Sequence, residues 1–135
     1  LENILKSINE INKGVNKIIT VVGCGGNRDE SKRPIMGEIA SSLSSRVIFT
    51  SDNPRNENPD SIIEQMKSGV KSDDQKKTVS ILDRKEAIKV ACSLAISNDI
   101  ILIAGKGHES FQEINGVKRK FDDFDVVKEI LNNKK

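Results

Sequence analysis

The chain predicts an α/β fold: a mostly parallel sheet with helices on both faces and a C-terminal β-hairpin. Three observations carry this expectation. Short β-rich runs alternate with segments of helical periodicity, as strand–helix–strand units do. "DIILIAG" is apolar on both faces, as a central parallel strand is. Asn115-Gly116 lies between two short strand-like runs, a pair that favours the tight turn of a hairpin.

Taken in order, residues 1–12 place Leu1, Ile4, Leu5, Ile8 and Ile11 on one helical face. Leu1 is both the first residue and a core-facing one, with no cap before it, so the chain is expected to be a piece of something longer. "KIITVV" reads as the first strand and "GCGGNRDESKR" as the loop after it. Residues 34–43 read as a helix with Ile35, Met36, Ile39, Ala40 and Leu43 inward, and Pro34 suits its first turn. "RVIFT" is the second strand. Asn58 and Pro59 then supply a cap and a first-turn proline for a helix burying Ile62, Ile63, Met66 and Val70. "TVSIL" is the third strand. Asp83 and Glu86 make a capping-box pattern ahead of Ala87, Ile88, Ala91, Cys92 and Ala95 at helical spacing. "DIILIAG" follows as the central strand. The tail adds the hairpin and a last helix carrying Phe124, Val127, Ile130 and Leu131.

Composition narrows the function classes. The 135 residues fit one domain with a real core, and 36% hydrophobic with 31% charged residues reads as soluble and globular. No apolar run approaches the roughly 20 residues of a membrane span, and the N-terminus lacks the pattern of a signal peptide. The net charge of +2 comes from 22 basic and 20 acidic residues, with four Phe and no Tyr or Trp. A basic stripe with stacking aromatics is therefore absent, and nucleic-acid binding is not expected. Two cysteines and one histidine form neither a disulfide framework nor a zinc pattern, which fits a reducing cytoplasm.

Right-handed crossovers bring the carboxyl ends of parallel strands to one edge, where ligands of open α/β sheets bind. Four loops meet there: residues 23–33, residues 51–58, the Asp83-Arg84 step and residues 105–110. The opposite-edge loops "SSR", "KSDDQKK" and "SND" carry only solvating polar residues. "GCGGNRD" offers glycine N–H groups to an anion ahead of a helix start. It lacks the P-loop pattern and departs from GxGxxG. Arg28 adds a guanidinium to this loop. Cys24 reads as a small buried packing residue, and Lys32 with Arg33 as a solvated helix start. His108, the single histidine, reads as structural, whereas Glu109 at a strand mouth can accept hydrogen bonds from an ammonium group. In "SDNPR", Pro54 pushes Asn53 into an extended conformation and fixes the turn. Arg55 offers a fork that matches a carboxylate. Asp52 and Asn53 serve equally well as turn caps or as ligand groups. Arg28 and Arg55 for carboxylates, with Glu109 for an amine, suit a zwitterion such as an amino acid.

"VVGCGGNRDESKRPIMGEIA", "VIFTSDNPRNENPDSII" and "DIILIAGKGHESFQ" together resemble the C-terminal domain of the Mur ligases, in the correct order and over essentially the whole chain. The resemblance implies a Rossmann-like domain, residues 1–135, that binds the incoming amino acid and closes over ATP. In the family, ATP activates the D-glutamate carboxylate of a UDP-N-acetylmuramoyl dipeptide as an acyl phosphate, and the amino acid's amine attacks it. The "DNPR" form implies meso-diaminopimelate rather than lysine, which has no distal carboxylate. It assigns Asn53 and Arg55 to that carboxylate, Arg28, Gly105 and Glu109 to further contacts, and Asp52 and Pro54 to the turn. No catalytic base or metal ligand is assigned. ATP and Mg²⁺ would be bound mainly by a central domain absent from this sequence, so the domain alone is expected to be inactive. A relative selecting another amino acid, such as lysine, and a stand-alone anion- or nucleotide-binding module stay open as alternatives.

Overall fold

Alternating apolar residues need cover on two sides, and the computed structural model, which describes residues 1–105 and 110–133, supplies it. Strands β1 (Ile18–Val22), β2 (Arg46–Phe49), β3 (Thr78–Ser80) and β4 (Ile100–Ala104) form a parallel sheet ordered β3-β2-β1-β4. Helices α2 (Lys32–Leu43) and α3 (Pro59–Lys67) cover one face, where Ala40, Ile62, Ile63 and Met66 pack on Val22, Val47 and Phe49. Helix α1 (Glu2–Asn12) rests beside α2. Helices α4 (Arg84–Leu94) and α5 (Asp123–Asn133) cover the other face, with Ala87, Ile88, Ala91, Cys92 and Val126 against Ile19, Val21 and Ile48. The layered α/β architecture is as the sequence predicts.

The central strand is β1, all five of whose residues are buried; β4 pairs only with β1 among the described residues and is half-buried throughout. A two-sided apolar run thus reports covered faces, not the number of strand neighbours. Because β1 pairs with β2 on one side and β4 on the other, the chain changes direction across the sheet between β1 and β4. That is the switch point at which such folds open a crevice.

The predicted caps are present. Asn58 Oδ1 accepts the Asp60 N–H at 2.9 Å, and Asp83 Oδ1 accepts the Glu86 N–H at 3.2 Å. Strands β5 (Phe111–Ile114) and β6 (Val117–Lys120) form the hairpin, with Asn115 and Gly116 at φ 51° and 79°, the left-handed pair a two-residue hairpin turn requires.

Three helical faces differ from expectation. In α1 only Leu5 of the predicted stripe is fully buried; Ile4 and Ile11 point outward, and Asn12 is buried in a loop-closing hydrogen bond to the Asn16 carbonyl. In α2 the inward stripe is Arg33, Gly37, Ala40 and Ser41, leaving Ile35 exposed. The reason is close backbone packing: a Cβ on Gly37 would lie 1.8 Å from the Met66 carbonyl oxygen, and one on Gly69 equally near that of Pro34. In α5 Val126 is the buried residue, while Phe124 and Leu131 are exposed. The edge opposite the strand mouths is also less solvated than its polarity suggests. Ser44 is buried with its hydroxyl 2.6 Å from that of Thr20, and Lys77 Nζ donates to the Ser41 and Ser44 carbonyls.

Candidate functional site

At the carboxyl ends of β1 and β4 lies a cleft of about 420 Å³ lined by Gly23, Gly25, Arg28, Lys32, Arg33, Asp52 and Gly105, among others. Its floor is backbone. A Cβ on Gly105, whose φ is 115°, would stand 2.7 Å from the Gly23 carbonyl oxygen, and one on Gly23 would meet Thr50 O and Asp52 N within 3 Å. Only glycine permits strand ends to approach this closely.

The first loop lies flat on the DNPR turn. The Gly26 N–H donates to the Asn53 carbonyl at 2.7 Å, and the face of Gly26 leaves no room for a side chain above Pro54. Arg55 Nη1 donates to the Gly26 carbonyl at 2.9 Å. Arg55 itself sits at φ 53°. Arg55 Nη1 and Arg28 Cγ both flank Gly25, within 3.4 Å of where its Cβ would be. Arg28 on the cleft wall and Arg55 beneath it therefore meet around Gly25.

Behind the turn stands the hairpin. The Arg55 N–H donates to Glu113 O at 3.0 Å, the Asn115 N–H donates to Arg55 O at 2.7 Å, and Gln112 Nε2 donates to Asp52 O at 2.8 Å. The buried Asn53 side chain accepts the Glu113 N–H. Glu113 Oε1 lies 3.8 Å from Arg55 Nε.

Of the predicted site residues, Arg28, Asp52 and Gly105 line the cleft, with Arg28 exposed and Asp52 buried. Asn53, Pro54 and Arg55 form the layer beneath Gly25 and Gly26. Glu109, like His108, lies outside the described residues. Cys24 is buried with its Sγ 3.3 Å from Met36 Sδ. Burial pushes its thiol up to about 11, against a smaller opposing pull from Arg33, as a packing residue rather than a nucleophile requires. Asp29 is held below the usual carboxylate range by the Ser31 hydroxyl and N–H.

Two arginines were underread. Arg33, expected at a solvated helix start, is 1% exposed and bound to Glu57, Gln65 and the Gly25 carbonyl. Arg84, read only as part of a short step, is equally buried. It grips Asp123 with Nε and Nη2 at 2.8 Å each and donates to Ser51 O and Ala104 O, at the ends of β2 and β4. Periodicity carried the signal: Arg33 leads the stripe Gly37, Ala40, Ser41, and Arg84 leads the stripe Ile88, Ala91, Cys92.

Known proteins match this chain over most of its length. The profile of the family described as Mur ligase, glutamate ligase domain, covers residues 1–107. Proteins named UDP-N-acetylmuramoyl-L-alanyl-D-glutamate--2,6-diaminopimelate ligase are 62% identical in Cytophaga hutchinsonii, over 97% of this chain, and 58% identical in Bacteroides thetaiotaomicron, over 98%. A solved structure of a ligase of that name superposes with a TM-score of 0.88 at 41% identity, covering 98% of this chain and 28% of its own. The chain spans about 27% of the length of the two relatives. With its parallel sheet, its glycine-floored cleft and a profile match over residues 1–107, the chain belongs to the Mur ligase, glutamate ligase domain family.

Proposed function

We propose that this chain is the amino-acid-binding domain of an ATP-dependent ligase that joins meso-diaminopimelate to the D-glutamate of UDP-N-acetylmuramoyl-L-alanyl-D-glutamate. The observation that carries this reading is the corner where Arg28 and Arg55 flank Gly25 beside the cleft between β1 and β4. A distal carboxylate needs a guanidinium held at a fixed angle, and the hydrogen bond to Gly26 O together with the hairpin bridge fixes that of Arg55. Arg28, exposed beside the same glycine and lining the cleft, adds a second positive group. Asn53 and Pro54 hold the turn, Asp52 and Gly105 line the cleft, and Glu109 takes the ammonium group.

The domain's share of catalysis is then positioning, which turns a bimolecular encounter into a held pair. ATP supplies the driving force in such a ligase. Among the described residues no group of three or more His, Cys, Asp or Glu side chains gathers as a metal site. The remainder of the ligase would supply that site and the UDP-dipeptide pocket. No helix among the described residues is long and apolar enough to cross a membrane.

The test is a steady-state comparison of meso-diaminopimelate and L-lysine on the full-length ligase carrying this chain. Strong preference for meso-diaminopimelate is expected. Equal use of lysine would overturn the specificity, and use of neither would overturn the function.

A further inference from the structure

Arg33, at the start of α2, and Glu57, after the DNPR turn, form an ion pair across the first loop. Arg33 Nη2 and Nη1 reach Glu57 Oε2 and Oε1 at 2.8 and 3.1 Å, a fork-to-carboxylate pairing in which the Arg33 side chain is 2% exposed and that of Glu57 27%. Each partner also holds backbone of the first loop. Arg33 Nη2 donates to the Gly25 carbonyl at 3.0 Å, and Glu57 Oε2 accepts the N–H of Asn27. Gln65 on α3 adds a 2.8 Å contact from below.

The placement of these contacts is selective. Gly25 and Asn27 stand on either side of Gly26, which rests on the DNPR turn, and Asn27 immediately precedes Arg28. Glu57 follows Arg55 by two residues on that same turn. A loop with three glycines in four positions has little stiffness of its own. Asn27 is held at φ 56°, a conformation that non-glycine residues rarely adopt. The ion pair therefore supplies order that the loop sequence does not. The hydrogen bonds donated by Arg33, followed by that from Asn27, hold the Glu57 carboxyl below the usual carboxylate range, so the brace stays charged at neutral pH.

We infer that Arg33 and Glu57 are positioning residues that lock the Arg28 loop to the Arg55 turn, setting the separation of the two guanidiniums that receive the amino acid. This rests on the proposed amino-acid-binding function. Arg33 borders the cleft, but its Nη1 and Nη2 are engaged by Glu57, Gln65 and the Gly25 carbonyl, so the pair acts through the loop that carries Arg28.

The test uses the full-length ligase with Glu57→Gln, which removes the charge and keeps the shape, and Arg33→Lys, which keeps the charge and removes the fork. Wild-type preference between meso-diaminopimelate and lysine tests the proposed function; the variants test the brace with whichever amino acid the enzyme accepts. KM for that amino acid should rise at least about tenfold, while KM for ATP and for the UDP-dipeptide and kcat at saturation stay within about threefold. Adding Glu57→Gln to Arg28→Ala should raise KM no further than Arg28→Ala alone. Amide exchange at Asn27, followed on the same proteins, should quicken in both brace variants. If Glu57→Gln folds poorly, Glu57→Asp keeps the charge on a shorter arm and should give the intermediate KM. A lowered Tm with unmoved amino-acid KM would overturn the inference, as would full additivity with Arg28→Ala. An enzyme accepting neither amino acid would overturn it together with the proposed function.

Discussion

Asn53 and Glu113, 60 positions apart, are joined by a 2.8 Å hydrogen bond in which the hairpin N–H donates to the buried amide oxygen of the DNPR turn. The turn is thus held on one side by the first loop and on the other by β5. Asn53→Ala removes the acceptor and strands a backbone donor, at a cost of about 1–3 kcal/mol. Urea unfolding of the 135-residue chain should show a lower midpoint at unchanged slope. An unmoved midpoint would mean that the backbone bridge at Arg55 holds the hairpin unaided.

Arg55→Lys replaces a fork with a point charge at a site whose angle is fixed by the Gly26 carbonyl. For the proposed ligase, kcat/KM for meso-diaminopimelate should fall by roughly 1.5–3 kcal/mol in transition-state stabilisation, the scale of a charge-assisted hydrogen bond. Unchanged kinetic constants would remove Arg55 from the binding site.

Cys24 links burial to pH. Its thiol is raised from 9.0 to about 11 in the fold, so the buried neutral form stabilises the protein fully below pH 9. That contribution declines as pH climbs from about 9 towards 11. Iodoacetamide at pH 8 should therefore leave Cys24 unmodified in the folded chain and label it after unfolding in urea. Rapid labelling of the folded chain at pH 8 would contradict the buried thiol.

Gly37 sits inside α2, where an exposed glycine-to-alanine change would stabilise by roughly 0.5–1 kcal/mol. Here the added methyl would overlap the Met66 carbonyl oxygen, 1.8 Å away. Gly37→Ala should instead destabilise by about 1–3 kcal/mol or more, the cost of overpacking, visible as a lowered Tm. A raised Tm would show that the α2–α3 contact opens without penalty.

The fold was legible because its signals are local. Asn58, Asp83 and Asn115-Gly116 announce caps and a turn through chemistry confined to two or three residues, and each does so in the structure. What was misread depends on partners far along the chain. Ile35 was placed inward because it is apolar, yet Gly37 and Arg33 hold that face, since Met66 and Glu57 meet them there. The edge position of β4 among the described residues likewise depends on which strand it joins, and its own residues do not encode that. At the site, sequence gathered Arg28, Asp52 and Gly105 on one edge, and the cleft contains all three. The hairpin's grip on Asn53 and Arg55 was invisible, because the bonds involved are mostly backbone and carry no residue signature.

The meeting of Gly23 and Gly105 gives the cleft a floor without side chains. Such a floor offers the same peptide groups to any ligand that enters, so under the proposed function discrimination would fall to Arg28 on the wall and Arg55 in the layer beneath. A change of preferred amino acid could then be acquired by exchanging wall residues alone, with the strand ends and their packing left untouched. The two glycines would be the part of the site that stays the same while its chemistry is rewritten around them.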